Sequence, residues 1–373
     1  MPETAKILPF PSRGPHETRS RGEILALVES FLRVPREERS TELINATLGD
    51  GDQLSTLLGQ LWEQGNKNPS LVSQEAIGLH AWLTAREKEY FFFDERDYSL
   101  GESALLAGAC LRLLGAREDC ERWFDRADAS FRHTVAPAPL LARVAFQRLS
   151  LRFDLQRHDD VLELLPSVAL TFKKLGMAVE LAKCHFLEAM CLKQTGRNAE
   201  AAERLDELVA NSGGALQPTF LGLALVNLGD LRSGEGQFAR ALEAYREATS
   251  VLESANQKFA LADLKMAVGA TLRTMGLIAP ALAAYREAAD QHAELGMVTR
   301  AAYARVVFAD ALLEAGKHRE AEWQLLAALP TIDEQKMVPE GFAAVALLRE
   351  SVRQRKTDPK ALLELREYLQ AKN

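Results

Sequence analysis

The chain has 373 residues, 47% of them hydrophobic and 26% charged, and its 45 Lys and Arg against 52 Asp and Glu give a net charge of −7. This composition supports a large buried core and excludes a disordered or fibrous protein. The acidic balance argues against nucleic acid as the main partner, because phosphate binding requires a basic surface.

The first 21 residues are predicted to be a flexible tail, since Pro2, Pro9, Pro11 and Pro15 would interrupt any helix. A docking segment at Leu8–Pro11 is the alternative. The N-terminus lacks the layout of a signal peptide, and no apolar run reaches the eighteen residues of a membrane span. Four cysteines are too few for a disulfide framework in a chain of this length. We therefore expect a cytoplasmic protein that does not bind membranes.

Residues 22–100 are expected to form a divergent N-terminal helical cap with about four helices. Its densest aromatic cluster is Phe91, Phe92 and Phe93. Three successive rings cannot all point to one side of a helix. We expect part of the cluster to pack in the core, and the alternative is an exposed anchor for a partner or a second subunit.

Beyond residue 100 the sequence repeats every 40 residues. A glycine column is followed five residues later by a small residue and four further on by a large one, and is preceded by a small residue seven positions earlier. The glycines are Gly196, Gly236, Gly276 and Gly316; the later columns are Ala201, Ala241, Ala281 and Ala321, then Leu205, Tyr245, Tyr285 and Leu325; the earlier column is Ala189, Gly229, Gly269 and Ala309.

Each column has a physical reason. The glycine ends a first helix, here called helix A, where a left-handed conformation costs Gly little. The small residues let helix A approach the second helix, helix B, and the Tyr or Leu fills space between adjacent repeats. Residues 101–338 are thus predicted to be helical hairpins, and residues 339–373 a capping helix pair.

At these residues the chain resembles the tetratricopeptide repeat family. Gly229, Gly236, Ala241, Tyr245 and Ala248 match its pattern of small and large residues. The usual period is about 34 residues, and the longer period here is similar to the repeats of bacterial peptide-sensing regulators and some signalling adaptors. The resemblance implies an all-α fold, a right-handed solenoid of helical hairpins.

The resemblance also implies that helix A lines a concave groove. By the family's frame the groove positions are Arg143, Phe146, Gln147 and Ser150; Lys183, Phe186, Leu187 and Met190; Leu223, Val226, Asn227 and Asp230; Asp263, Met266, Ala267 and Ala270; Tyr303, Val306, Val307 and Asp310. The set begins basic, becomes apolar and ends acidic, which suits an extended peptide or an amphipathic helix. The alternative is that many of these side chains are simply solvated or packed under neighbouring helices.

Two family features bear on the ligand. In peptide-binding members an Asn at the position of Asn227 often contacts the ligand backbone. The family's clamp for a C-terminal carboxylate requires a Lys and an Asn where this chain has Phe146 and Ser150, or Phe186 and Met190. The clamp is therefore absent, and a chaperone tail is not the expected ligand.

No sequence motif of an enzyme or a nucleotide-binding loop is evident. Cys184 and Cys191 would lie roughly 10 Å apart on one helix, too far for one zinc ion, so we expect buried thiols and neither a metal nor a cofactor. Arg349 and Arg353 belong to a C-terminal basic patch, either a solvated face or a docking site for an acidic partner.

We therefore expect a protein–protein interaction scaffold or adaptor that is not an enzyme and holds a peptide or helical segment of a partner. A regulator in which a peptide changes the superhelix pitch is the first alternative, and an enzyme is the last. The sequence leaves the oligomeric state open.

Overall fold

The computed structural model describes residues 21–34, 38–39, 51–65, 68–85, 95–210 and 217–353. The described residues form helices and turns with no β-strand, which confirms the predicted all-α class. They fall into two compact units, divided after Gln156.

The first unit contains six described helices: α1 (Arg21–Arg33), α2 (Gly51–Gly65), α3 (Pro69–Thr84), α4 (Glu95–Leu113), α5 (Arg117–Phe131) and α6 (Pro137–Asp154). The second unit contains ten: α7 (His158–Lys174), α8 (Ala178–Gln194), α9 (Asn198–Ala210), α10 (Pro218–Gly234), α11 (Phe238–Ser254), α12 (Lys258–Thr274), α13 (Ile278–Glu294), α14 (Val298–Glu314), α15 (His318–Glu334) and α16 (Val338–Arg353).

The second unit is built on a 20-residue step, half the period seen in the sequence. Eight of its described helices have 17 residues, and three-residue turns connect most of them. Helices A are α8, α10, α12 and α14, and helices B are α9, α11, α13 and α15. The residues added beyond a 34-residue repeat therefore lengthen the helices and not the turns.

The glycine column ends the helices A as predicted. Gly196, Gly236, Gly276 and Gly316 have φ angles of +73° to +78°. The amide of Gly196 donates to the carbonyl of Lys193, and that of Arg197 to the carbonyl of Leu192, which is the Schellman pattern. Helices B end in the same way, at Gly176 and Gly296 and also at Asn256 and Lys336, which adopt positive φ without being glycine.

The small-residue column also has its predicted role. A Cβ atom on Gly229 would lie 2.6 Å from Cδ1 of Tyr245, and one on Gly269 would lie 2.8 Å from the ring of Tyr285. Each tyrosine is buried against the glycine of its own hairpin. Tyr245 also reaches the next repeat, because its hydroxyl lies 3.3 Å from Oγ1 of Thr271. The tyrosine thus packs within a hairpin and links two hairpins.

Hairpins of the second unit stack in sequence. Helices A touch one another directly, α10 against α12 and α14 against α16, and each of α11 and α13 contacts the helix A that follows it. Helices A therefore form one side of this unit. α16 begins 40 residues after α14, so the described half of the predicted C-terminal pair continues the repeat register.

The first unit has its own core around α3, α4 and α5. Phe131 and Phe124 lie so close to the backbone of Gly101 and Gly108 that no Cβ atom would fit at either glycine. Inside this core the carboxylate of Glu102, which is buried, accepts from Nε1 of Trp62 at 3.0 Å. The first hairpin begins at Glu95, six residues before the predicted boundary.

Several sequence predictions lie outside the described residues. These are the tail except Arg21, the cluster Phe91, Phe92 and Phe93, and residues 354–373. Within the part of the chain that the structure describes, no helix is both long and apolar enough to cross a membrane.

Candidate functional site

The predicted groove positions of the second unit lie in strict register on one side of its helices A. They are the sixth, ninth, tenth and thirteenth residues of each helix. We call this set the A surface: Lys183, Phe186, Leu187 and Met190 of α8; Leu223, Val226, Asn227 and Asp230 of α10; Asp263, Met266, Ala267 and Ala270 of α12; Tyr303, Val306, Val307 and Asp310 of α14.

The A surface exposes large apolar side chains at its outermost position. Leu223 is 45% exposed and Tyr303 is 48% exposed, in the column that also contains the exposed Lys183. The next column is apolar and partly buried, with Phe186 and Met266. Leu187 and Val306 are buried and belong to the core. The structure therefore brings the predicted positions together, but it uses some of them for packing.

An aromatic pair extends this surface at one end. The rings of Phe186 and Phe220 have centroids 5.1 Å apart in a tilted arrangement. Met190 packs against the same core cluster. Aromatic rings beside a flexible thioether can adapt to different apolar partners.

Asp230 is tied to the hairpin framework. Its Oδ1 accepts a 2.8 Å hydrogen bond from the hydroxyl of Tyr245, and its Oδ2 lies 3.7 Å from Nζ of Lys193. Burial raises the pKa of Asp230 above its ordinary value, although both partners act to lower it. The carboxylate is thus engaged in structure, which was not expected from the sequence.

Asn227 is likewise held by its neighbours. Its Oδ1 accepts from Nζ of Lys193 at 3.1 Å, and its Nδ2 donates to the carbonyl oxygen of Leu223 at 3.0 Å. A ligand backbone would have to share or replace these bonds.

Asp263 connects three helices. It lies 2.9 Å from NH1 of Arg300 on α14 and 3.3 Å from Nε2 of His292 on α13. His292 is 1% exposed. Burial lowers the pKa of His292, and the carboxylate of Asp263 opposes this effect.

Asp310 completes the set of acidic residues. Its Oδ2 accepts from NH1 of Arg273 at 2.7 Å, and the same guanidinium also reaches Glu314 at 2.5 Å. The hypothesis of a groove that ends in free negative charge is therefore wrong for these three aspartates, because each is paired with a cation of a neighbouring helix A.

Sequence reasoning missed these cations, although a signal was present. Lys193 and Asp230, Arg273 and Asp310, and Asp263 and Arg300 are each separated by 37 residues. A spacing three short of the 40-residue period joins a residue of one helix A to a residue about one turn earlier in the next helix A. Charge pairs at that spacing therefore predict contacts between repeats.

The first unit contains Arg143, Phe146 and Gln147, on α6. Arg143 forms an ion pair with Glu102, in which NH2 lies 3.1 Å from Oε2, and its guanidinium lies 5.5 Å from the ring centre of Trp62. Arg143 thus balances a buried carboxylate. Phe146 and Gln147 are partly buried.

The other predicted features are placed as follows. Arg353 is exposed and forms a 2.9 Å ion pair with Glu350, and Arg349 lies on α16. Cys184 and Cys191 are buried, as predicted, and burial raises the pKa of each thiol to about 12. Both therefore pack as small apolar groups.

The fold is similar to known helical-repeat proteins. A signal transduction ATPase with numerous domains and a tetratricopeptide repeat sensor, from Pyrococcus horikoshii, matches 95% of this chain at 12% identity with a TM-score of 0.66. The chain spans about half of that protein, 53%. At this identity the similarity shows the fold alone.

Two structures of the protein NprR are also similar. The apo form of the quorum sensor NprR from B. thuringiensis matches 89% of this chain and 99% of its own length, at 12% identity and a TM-score of 0.53. NprR in complex with its cognate peptide NprX matches 85% of this chain and 88% of its own, at 13% identity and 0.52. No family model matches the chain, and no curated protein matches it in sequence. The fold is thus tetratricopeptide-like.

Proposed function

We propose that the second unit is a binding module for a peptide or helical segment of a protein partner, so that the chain serves as a scaffold or adaptor and not as an enzyme. The observation that carries the proposal is the pair of exposed apolar side chains, Leu223 and Tyr303, at the same position of α10 and α14. Side chains of this size on a rigid helical framework are the usual anchors of helix and peptide recognition.

The charges of the A surface narrow the chemistry of the ligand. Asp230, Asp263 and Asp310 are each neutralised by a neighbouring cation. Lys183 is exposed and has no ion-pair partner among the residues that the structure describes. A ligand with apolar side chains and one acidic group near α8 therefore fits this surface better than a basic peptide.

Mutation of the two anchors tests the proposal. Partners captured with the wild-type chain are identified, and a peptide from the captured protein is titrated calorimetrically against Leu223→Glu and Tyr303→Glu. Burial of such a side chain is worth about 1.5–3 kcal/mol, so we expect each variant to raise Kd by about tenfold or more.

Leu277→Glu is the matched control, because Leu277 is 44% exposed but lies in the turn before α13. It should leave Kd unchanged. If the two anchor variants bind the peptide as tightly as the wild type, the A surface is not the binding site.

A peptide-responsive regulator is the second candidate, favoured by the similarity to NprR, one structure of which contains its cognate peptide. Stacked hairpins change their mutual angles easily, because each contacts mainly its neighbours. Small-angle scattering separates the two functions. A regulator should change its radius of gyration on saturation with the peptide, and an adaptor should not.

A further inference from the structure

The outer side of α15 differs from that of every other described helix B. Its sixth residue, Trp323, is 63% exposed. The equivalent position is Glu203 in α9, Glu243 in α11 and Ala283 in α13. A large aromatic ring left in water at a position that is charged or small in the other repeats indicates a covered surface.

The whole exposed stripe of α15 has an ordered pattern. Residues within about 40° of Trp323 around the helix, at 100° per residue, are Arg319, Ala327, Pro330 and Glu334. The stripe is thus apolar in its middle, with a cation at its N-terminal end and an anion at its C-terminal end. In α13 the last positions before the end of this stripe are occupied by Glu287 and Asp290, where α15 has Ala327 and Pro330.

Both terminal charges of the stripe oppose the helix dipole. Arg319 is in the first turn of α15 and Glu334 is its last residue, whereas the dipole favours anions at the N-terminus and cations at the C-terminus. Both side chains are exposed and neither has an ion-pair partner among the described residues. The chain therefore gains nothing from these two charges within the part of the molecule that is described.

We propose that this stripe is the contact between two copies of the chain, with α15 packed antiparallel against α15 of the second copy. The pattern is symmetric about the point between Leu326 and Ala327. A two-fold axis there sets Arg319 opposite Glu334 of the second copy and Trp323 opposite its Pro330. A two-fold interface must be self-complementary in this way, and both unpaired charges then acquire partners.

Two further features agree with this arrangement. The symmetry also places Glu320 opposite Asp333 of the second copy, but Glu320 is already paired with Arg286 and Lys317, so the repulsion is reduced. The next hairpin in register would leave the ring exposed, because Ala283 stays exposed although the following hairpin is in place. The stripe is short, so we expect a dimer with a micromolar dissociation constant.

Sedimentation equilibrium from about 1 to 100 μM tests the proposal on the full chain. The wild type should show a monomer–dimer equilibrium, and Trp323→Glu should be monomeric throughout. Arg319→Glu should weaken the dimer about tenfold, because it introduces two repulsive contacts across the axis. The double variant Arg319→Glu with Glu334→Arg should restore the dimer, because the charges are exchanged on both copies.

Ala283→Glu, at the same position one hairpin earlier, is the matched control and should leave the equilibrium unchanged. Circular dichroism should show native helix content for every variant, since the altered side chains are exposed. A wild type that is monomeric at the highest concentration, a dimer insensitive to Trp323→Glu, or a charge-exchanged variant that stays as weak as the single variant would each overturn the proposal.

Discussion

Substitution of Gly229 by alanine should destabilise the second unit through a single methyl group. The new Cβ would lie 2.6 Å from Cδ1 and 2.9 Å from Cζ of Tyr245, closer than two carbon atoms can approach. The ring cannot retreat easily, because it is buried and its hydroxyl is bonded to Asp230. Overpacking of this kind costs about 1–3 kcal/mol.

The opposing term is the gain in helix propensity, about 0.5–1 kcal/mol for Gly to Ala. Gly234 isolates this gain, because it lies in the same helix and a Cβ there meets nothing within 4 Å. The difference in free energy of unfolding between Gly229→Ala and Gly234→Ala is thus the steric cost alone, about 1–3 kcal/mol.

Urea denaturation followed by circular dichroism measures this difference, and hydrogen exchange in α10 and α11 shows whether the loss is local, as expected for a repeat protein. Gly269→Ala should cost less than Gly229→Ala, since its Cβ would lie 2.8 Å from the nearest ring atoms. Equal stability of Gly229→Ala and Gly234→Ala would refute the close-approach argument.

Three further predictions follow from the turns, the buried histidine and the thiols. Asn256→Gly should raise the free energy of unfolding by about 1 kcal/mol, because Asn256 has a φ angle of +51°, and an unchanged urea midpoint would contradict this. Acidification should lower the stability of the second unit as the pH falls from about 7 to 5, because the pKa of His292 is lowered in the folded state, so the unfolded chain binds the proton more readily; urea midpoints of His292→Gln should lose that part of the pH dependence. Cys110, Cys120, Cys184 and Cys191 should resist a thiol reagent at pH 8 until the chain unfolds, because burial raises the pKa of each to about 11 or 12; fast labelling of the native protein would show that the thiols are accessible.

The repeat architecture could be predicted because its determinants are local. A glycine at a left-handed turn and a glycine under an aromatic ring each leave a mark in the sequence at fixed spacing. Asn256 and Lys336 have the same turn conformation without glycine, and for that reason the 20-residue step was not visible in the sequence.

The state of the candidate surface could be predicted less well. Its positions followed from the register, but whether Asp230 or Asp310 is free depends on side chains of the neighbouring helix. Leu187 and Val306 occupy groove positions by spacing and are buried, because how deeply a helix packs against its neighbours is a property of the whole stack and not of the repeat.

The exact spacing of the turns has a consequence for how such chains change in length. Removal of residues 237–276 would join Gly236 directly to Leu277, and α13 would then follow α10 as α11 now does. Gly229 would face Tyr285 in place of Tyr245, and every later helix would keep its phase. Gain or loss of a 40-residue segment by gene duplication or deletion therefore preserves the packing of each junction, whereas a segment of any other length would disturb it.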